Sequence, residues 1–368
     1  MPNEPTPAPQ RRSRNLILCL DGTDNEYDAT NTNVVKLYEM LDRQADDQLY
    51  YYQPGIGTFA PAGTWGKFKK WWITRLDLAV AWLLSEHVCD AYRFLMRYYR
   101  DGDKIWIFGF SRGAYTARVL AGMLYKIGLL SQGNDELIPF AWDMYGKQKD
   151  IKIYKGFRRT FSRKVQVEFL GLWDTVSSVG WTCWDPISLP FTTNNPIVKV
   201  VRHAISLDER RAYFRQNRWG SYANQDVQEV WFPGVHCDVG GGYTERQSGL
   251  SKIALRWMVE YAKAKGLRVN PKSETKILPA KDTPNSAAPA PLAMMHESLK
   301  GLWWIAEILP KRYKDPKANY ATRVKLPLGQ SRFVEDGAKI HVSVFVRKED
   351  PAMSYDPKNL PKNFEQVE

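Results

Sequence analysis

A serine set between two glycines, Gly109-Phe110-Ser111-Arg112-Gly113, is the residue of this chain best suited to attack a carbonyl carbon. Its hydroxyl is a weak nucleophile at its own pKa, so the chemistry needs a base beside it. That base is an imidazole whose other nitrogen is held by a carboxylate. Two aspartates follow apolar runs downstream of the serine. Asp238 opens Asp-Val-Gly-Gly-Gly, where glycines let the backbone bend and turn the carboxylate inward, and it is the expected acid. Asp174 closes the run before Thr175 and is the alternative. An N-cap or Asx-turn role is the plainer reading of either. Of the five histidines, His341 and His296 lie after both acids. His341 stands at the last apolar run and is the expected base; His296 is the alternative. His87 precedes the serine. His203 reads as helical and precedes Asp238. His236 lies two residues from Asp238 on a segment read as extended, which would point it the opposite way.

The developing oxyanion needs backbone N–H donors. Arg112, at the start of the segment after the serine, supplies one; Gly22 or Thr23, in the turn after the first apolar run, supplies the second. Asp21-Gly22-Thr23 also resembles the phosphatase signature that needs an aspartate nucleophile two positions earlier. Cys19 stands there, which excludes that chemistry. Cys19, Cys89, Cys183 and Cys237 are scattered, with no Cys-x-x-Cys pair. They read as reduced thiols, and neither metal nor organic cofactor is required.

These groups must be carried by particular elements. Residues 105–108 are wholly apolar, as a strand buried on both faces would be, and residues 114–124 read as a helix. Strand, Gly-x-Ser-x-Gly turn and helix, in that order, make a nucleophile elbow; a bare turn would leave both glycines unexplained. Further strands are expected at residues 16–20, 49–53, 165–173, 229–232 and 339–340. Helices are expected at 33–41, 67–84, 87–100, 197–206 and 251–265, with a helical apolar segment over 293–309. This alternation predicts an α/β-hydrolase-like fold, a mainly parallel sheet with helices on both faces. Residues 1–14 read as a disordered tail and 15–350 as the catalytic domain. Insertions are expected at about 131–164 and 270–335, and a C-terminal coil at 351–368.

The 368 residues carry a formal net charge of +12, 13% aromatic side chains and 14 tryptophans. That balance favours anionic partners, and without a zinc-finger, RNP or helix-turn-helix signature it points to an acidic membrane surface and not to nucleic acid. Residues 67–84 join lysines, Trp71-Trp72 and an apolar run, the pattern of an interfacial helix or of a core helix with a basic cap. Neither a signal peptide nor a span of about 18 apolar residues is found, which predicts synthesis in the cytoplasm.

Five segments together resemble one family: residues 20–23 (Leu-Asp-Gly-Thr), 109–118, 172–176 (Leu-Trp-Asp-Thr-Val), 232–243 and the patch at His341. They look like the catalytic domain of the type VI secretion phospholipase effectors of the α/β-hydrolase class, over residues 15–350. The resemblance implies a serine carboxylester hydrolase acting on phospholipid acyl esters, with Ser111 as nucleophile, Asp238 as acid and His341 as base. It also implies export by a dedicated secretion system and a secretion or immunity partner. An esterase for a small soluble ester and a non-catalytic membrane- or protein-binding module on a hydrolase scaffold are the competing readings.

Overall fold

The apolar runs fold into strands, and the segments between them into helices that cover both faces. The computed structural model describes residues 12–22, 30–55, 69–147, 151–176, 189–220, 222–315 and 321–368. The first half comprises β1 (Asn15–Leu20), α1 (Asn33–Met40), β2 (Gln48–Gln53), α2 (Lys69–Tyr98), β3 (Lys104–Phe110) and α3 (Arg112–Ile127). Next come β4 (Leu129–Leu130), α4 (Ile138–Gly146), α5 (Ile151–Phe161), β5 (Ser162–Arg163), β6 (Val167–Trp173), β7 (Val198–Ser206) and β8 (Asp226–Phe232). The remainder is α6 (His236–Gly240), α7 (Gly249–Ala264), α8 (Pro271–Ile277), α9 (Trp303–Glu307), β9 (Lys311–Asp315), β10 (Ala321–Lys325), β11 (Ala338–His341), α10 (Val342–Glu349) and β12 (Phe364–Val367).

Eight strands form one sheet in the order β12-β11-β8-β7-β6-β3-β1-β2. Every neighbouring pair in it is parallel. The strand period of two divides β1 between the faces. Leu16, Leu18 and Leu20 enter the core under α2 and α3, whereas Ile17 and Cys19 enter the core under α1 and α7. From β1 the chain steps outward to β2, then returns to build β3 on the opposite flank. The sheet therefore reverses direction between β1 and β3. At such a switch point the loops splay apart above the carboxyl ends of the strands and leave a crevice. Ser111, directly after β3, stands at its edge.

Several expectations are corrected. The helix expected at 197–206 is instead a strand, β7 (Val198–Ser206). The strand is buried on both faces, and its polar residues Arg202 and His203 interrupt the apolar run that would have marked it. The two helices expected at 67–84 and 87–100 are one continuous helix, α2. The helical segment of 293–309 shrinks to α9, which leaves His296 in an irregular stretch. Within 131–164, Ile138, Ala141, Met144 and Tyr145 belong to the core against α3, so this stretch is more than a surface insertion. The coil expected at 351–368 contributes β12, the edge strand beside β11. Only the end of the N-terminal tail is described, where Arg14 is tied to Asp103 by an ion pair of 2.7 Å. Residues 67 and 68, Thr23, Trp181, Cys183 and Trp184 lie outside the described residues. No helix among the described residues is long and apolar enough to cross a membrane.

Candidate active site

Ser111 joins β3 to α3 with φ 58° and ψ −121°, a conformation that L-residues rarely adopt. Such a backbone costs about 1–3 kcal/mol and persists only where its surroundings enforce it. The enforcement is visible. Ser111 N–H donates to the Trp173 carbonyl at the end of β6 (3.1 Å), and its carbonyl accepts from Tyr115 N–H in α3 (3.3 Å). The two glycines make the bend possible. A Cβ at Gly109 would lie 2.6 Å from the Gly113 carbonyl oxygen, and one at Gly113 would overlap the carbonyls of Leu20 and Asp21. Gly113→Ala must therefore push α3 away from β1. We expect it to cost about 3 kcal/mol, read as a lower urea midpoint with the slope unchanged.

Two histidine–carboxylate dyads flank α6. In the first, His236 Nδ1 lies 2.6 Å from Asp174 Oδ2. Asp174 follows β6 directly and holds φ 37°, the second strained residue at these strand ends. Its carboxylate also takes both terminal nitrogens of Arg332 (2.5 and 3.0 Å) and the N–H and hydroxyl of Ser206 (both 3.0 Å). Burial alone would raise its pKa. The Arg332 guanidinium, with the hydrogen bond and charge of His236, outweighs burial and holds the carboxyl far below the ordinary range. Burial likewise lowers the pKa of His236, against the opposing pull of Asp174. The His236 ring packs between Phe110, 4.6 Å away centroid to centroid, and Phe214 at 4.8 Å.

In the second dyad, His296 Nδ1 lies 2.7 Å from Asp238 Oδ1, and Asp238 Oδ2 accepts the His296 backbone N–H at 3.0 Å. The His296 ring stacks on Tyr243, and its Nε2 is buried without a hydrogen-bond partner among the described residues.

The helical turn of α6 separates the dyads. At 100° per residue, His236 and Gly240 share one side and Asp238 projects from the other. Accordingly Gly240 abuts the Phe110 ring, so closely that a Cβ would overlap it, whereas Asp238 packs on Gly234. The expectation of an extended segment, with His236 set aside, is corrected by this turn. A sequence signal did exist, because Gly241, at φ 82°, is the left-handed residue that ends a short helix. Arg332 gave none, lying 158 residues from the aspartate it holds.

The first dyad adjoins the elbow through the chain itself. Phe110 precedes Ser111, and Trp173, whose carbonyl holds the Ser111 N–H, precedes Asp174. Among the described residues no imidazole hydrogen-bonds to the Ser111 hydroxyl. Such contacts commonly tighten only when substrate is bound.

His341 is not brought to Asp238. Its Nδ1 faces the Ser343 hydroxyl at 2.7 Å and accepts the Ser343 N–H, which makes it the N-cap of α10, and its ring stacks on Phe232. The Gly22 N–H is also engaged, donating to Asp21 Oδ1 at 2.6 Å. Arg112 begins α3, so its N–H lies at the positive end of the helix dipole.

Beneath the first dyad, His203 in β7 locks the turn that carries Asp174. Its Nε2 accepts the Thr175 N–H (3.2 Å) and its Nδ1 faces Glu229 (2.7 Å). An Nε2 that accepts a hydrogen bond belongs to a neutral ring, and burial lowers its pKa from 6.5 to about 4. Unfolded, the same ring gains a proton at higher pH. Its contribution is therefore complete above the unfolded value of 6.5 and is lost as pH falls from there toward 4. Burial lowers His341 to about 4 as well. We expect the urea midpoint to drop between pH 7 and pH 5, with His203 alone accounting for on the order of 2 kcal/mol.

The family described as the type VI secretion phospholipase effector Tle1-like catalytic domain matches residues 14–261. An uncharacterized protein of Saccharomyces cerevisiae is 42% identical over 221 residues, which cover 55% of this chain and 32% of that protein. The chain thus spans about a third of that relative's length. Among solved structures, an uncharacterized protein from Pseudomonas aeruginosa aligns with TM-score 0.44 and 21% identity, over 72% of this chain and 48% of the other. The Tle1 effector bound to the VgrG spike of the type 6 secretion system aligns with TM-score 0.37 and 19% identity, over 65% and 52%. With its profile matched from before β1 to within α7, the chain belongs to the Tle1-like phospholipase effector family of catalytic domains.

Proposed function

We propose that this protein hydrolyses acyl esters of phospholipids, with Ser111 as nucleophile, His236 as base and Asp174 as the acid that orients it. The Ser111 oxygen bonds to the ester carbonyl carbon while its proton passes to His236 Nε2. The carbonyl oxygen becomes an oxyanion at the N-terminus of α3, met by the Arg112 N–H and by a donor from the loop after β1, where Thr23 falls. The leaving alcohol takes the proton from His236 and departs. A water molecule then gives its proton to His236 as its oxygen attacks the acyl-serine; the bond to Ser111 breaks, the serine oxygen takes the proton back from His236, and the fatty acid is released.

The observation that carries this reading is the strained Ser111 turn fastened to the strand end that holds the Asp174–His236 pair. Burial keeps His236 neutral at pH 7, the form a base requires. Arg332 keeps Asp174 ionised, the form that orients the imidazole. A second reading keeps Ser111 and assigns Asp238 and His296. The buried, unpartnered Nε2 of His296 favours it. The test is covalent capture of Ser111 by a fluorophosphonate together with fatty-acid release from vesicles, argued as the first prediction below.

A further inference from the structure

The segment around α9 is built inside out. Its one acid, Glu307, is fully buried; its carboxylate accepts the backbone N–H groups of Ala212 (2.7 Å) and Gly329 (3.1 Å). The apolar residues around it face solvent instead. Leu302 is 83% exposed, Ile308 59% and Ile305 55%, with Trp304 beside them. Leu328, whose N–H donates to the Glu307 carbonyl, adds to the same exposed apolar area. A helix that hides its carboxylate and presents its aliphatic residues is shaped for contact with something apolar.

Two further observations identify what it meets. Residues 300–325 carry seven lysines and arginines against two acids; setting aside the buried Lys311 and the buried Glu307, six cations stand against one acid. Tryptophan and aliphatic side chains amid cations are the composition of an interfacial anchor on an anionic bilayer. The patch is also continuous with the candidate active site, because Phe214 touches the His236 ring at 4.8 Å and Trp303 at 5.6 Å. Arg211 lies over the Phe214 ring, and Glu209 fixes its guanidinium at 2.9 Å.

We propose that α9 and the paired strands β9 and β10 form the surface by which this protein docks on an anionic lipid bilayer, the side chains of Leu302, Trp304, Ile305 and Ile308 entering the headgroup boundary beside the catalytic dyad. Choosing a bilayer over a protein partner rests on the acyl-ester reading of the adjacent site. Docking is scored without turnover, so failure of that reading and failure of this one are separate results. The full chain carrying Ser111→Ala is co-sedimented with vesicles of phosphatidylcholine alone and of phosphatidylcholine mixed equally with phosphatidylglycerol. Three forms are compared: the parent, Leu302→Glu/Ile305→Glu, and a control, Ile151→Glu/Ile153→Glu, at another exposed apolar pair on α5. We expect the parent and the control to bind the anionic vesicles, more tightly than the neutral ones and less so in high salt. The α9 variant should bind at least about tenfold more weakly. With Ser111 restored, the α9 variant should keep its turnover of a short-chain soluble ester and its melting temperature. Equal binding by the α9 variant and the parent overturns the proposal, as does loss of binding in the α5 control. So does a parent that ignores both vesicles but forms a dimer that the α9 substitutions dissolve.

Discussion

Replacing Ser111 with alanine should lower fatty-acid release from phospholipid vesicles by on the order of 10⁴-fold or more. The same variant should lose all fluorophosphonate labelling, because the phosphonate needs the serine oxygen to form its bond. The fold should survive. The substitution removes one oxygen from a residue that is only 8% exposed, and both backbone bonds of the elbow come from its N–H and carbonyl, which alanine retains. Alanine tolerates the φ of 58° no worse than serine does, so thermal unfolding should change by about 1 kcal/mol or less. A Ser111→Ala protein that releases fatty acid at the parent rate overturns the hydrolase reading outright. A parent that never labels while turning over no ester sends the function to the binding-module reading. Activity on a soluble short-chain ester but none on vesicles would leave the elbow chemistry standing and remove the phospholipid.

The elbow was legible because its physics is local. Gly109 is needed by a contact within the strand–turn–helix unit and Gly113 by the neighbouring β1, but both sit within two residues of the serine they serve, so the spacing itself is the signal. The β1, β3 and β6 strands were legible for a similar reason, since burial on both faces leaves apolar runs at residues 16–20, 105–110 and 169–173. The dyads were not, because each joins residues from distant strand ends. Asp174 and His236 meet only after β7 and β8 have been laid beside β6. The glycines after Asp238 mark it as an acid, yet the order of residues along the chain pairs it with His341, because chain order does not distinguish a loop from a strand end. Packing decided it. His341 was taken up in capping α10, while His296, on a stretch with no regular structure, was free to reach across. Arg202 and His203 hid β7 for the converse reason. They are buried polar groups with distant partners, Asp226 and Glu229, which the local pattern cannot supply.

The second large effect belongs to His236. His236→Asn should reduce kcat on vesicles and on a soluble ester alike by on the order of 10³–10⁴-fold, with KM little changed, because the proton is moved only in the transition state. His296→Asn should cost less than about tenfold. The direction of substitution matters. Removing the aspartate instead would strand the Arg332 guanidinium, which is buried and paired to both oxygens of Asp174. An uncompensated charge of that kind destabilises by about 3–5 kcal/mol, so Asp174→Asn confounds a catalytic loss with unfolding. Asparagine at 236 leaves the Asp174–Arg332 pair intact and can still hydrogen-bond to the carboxylate through its amide. The pH profile gives an independent check. Because burial lowers the pKa of His236, the neutral base persists below the ordinary histidine range. The parent's kcat/KM should therefore hold level from pH 8 to below 6.5 before it falls on the acid side, and that limb should vanish from the residual activity of His236→Asn. Should His296→Asn be the variant that loses 10³-fold while His236→Asn stays active, the base lies on the other face of α6. Asp238 would then replace Asp174 in the triad. Ser111 is common to both readings, so its role is decided by the first experiment and the side of α6 from which the proton is taken by this one.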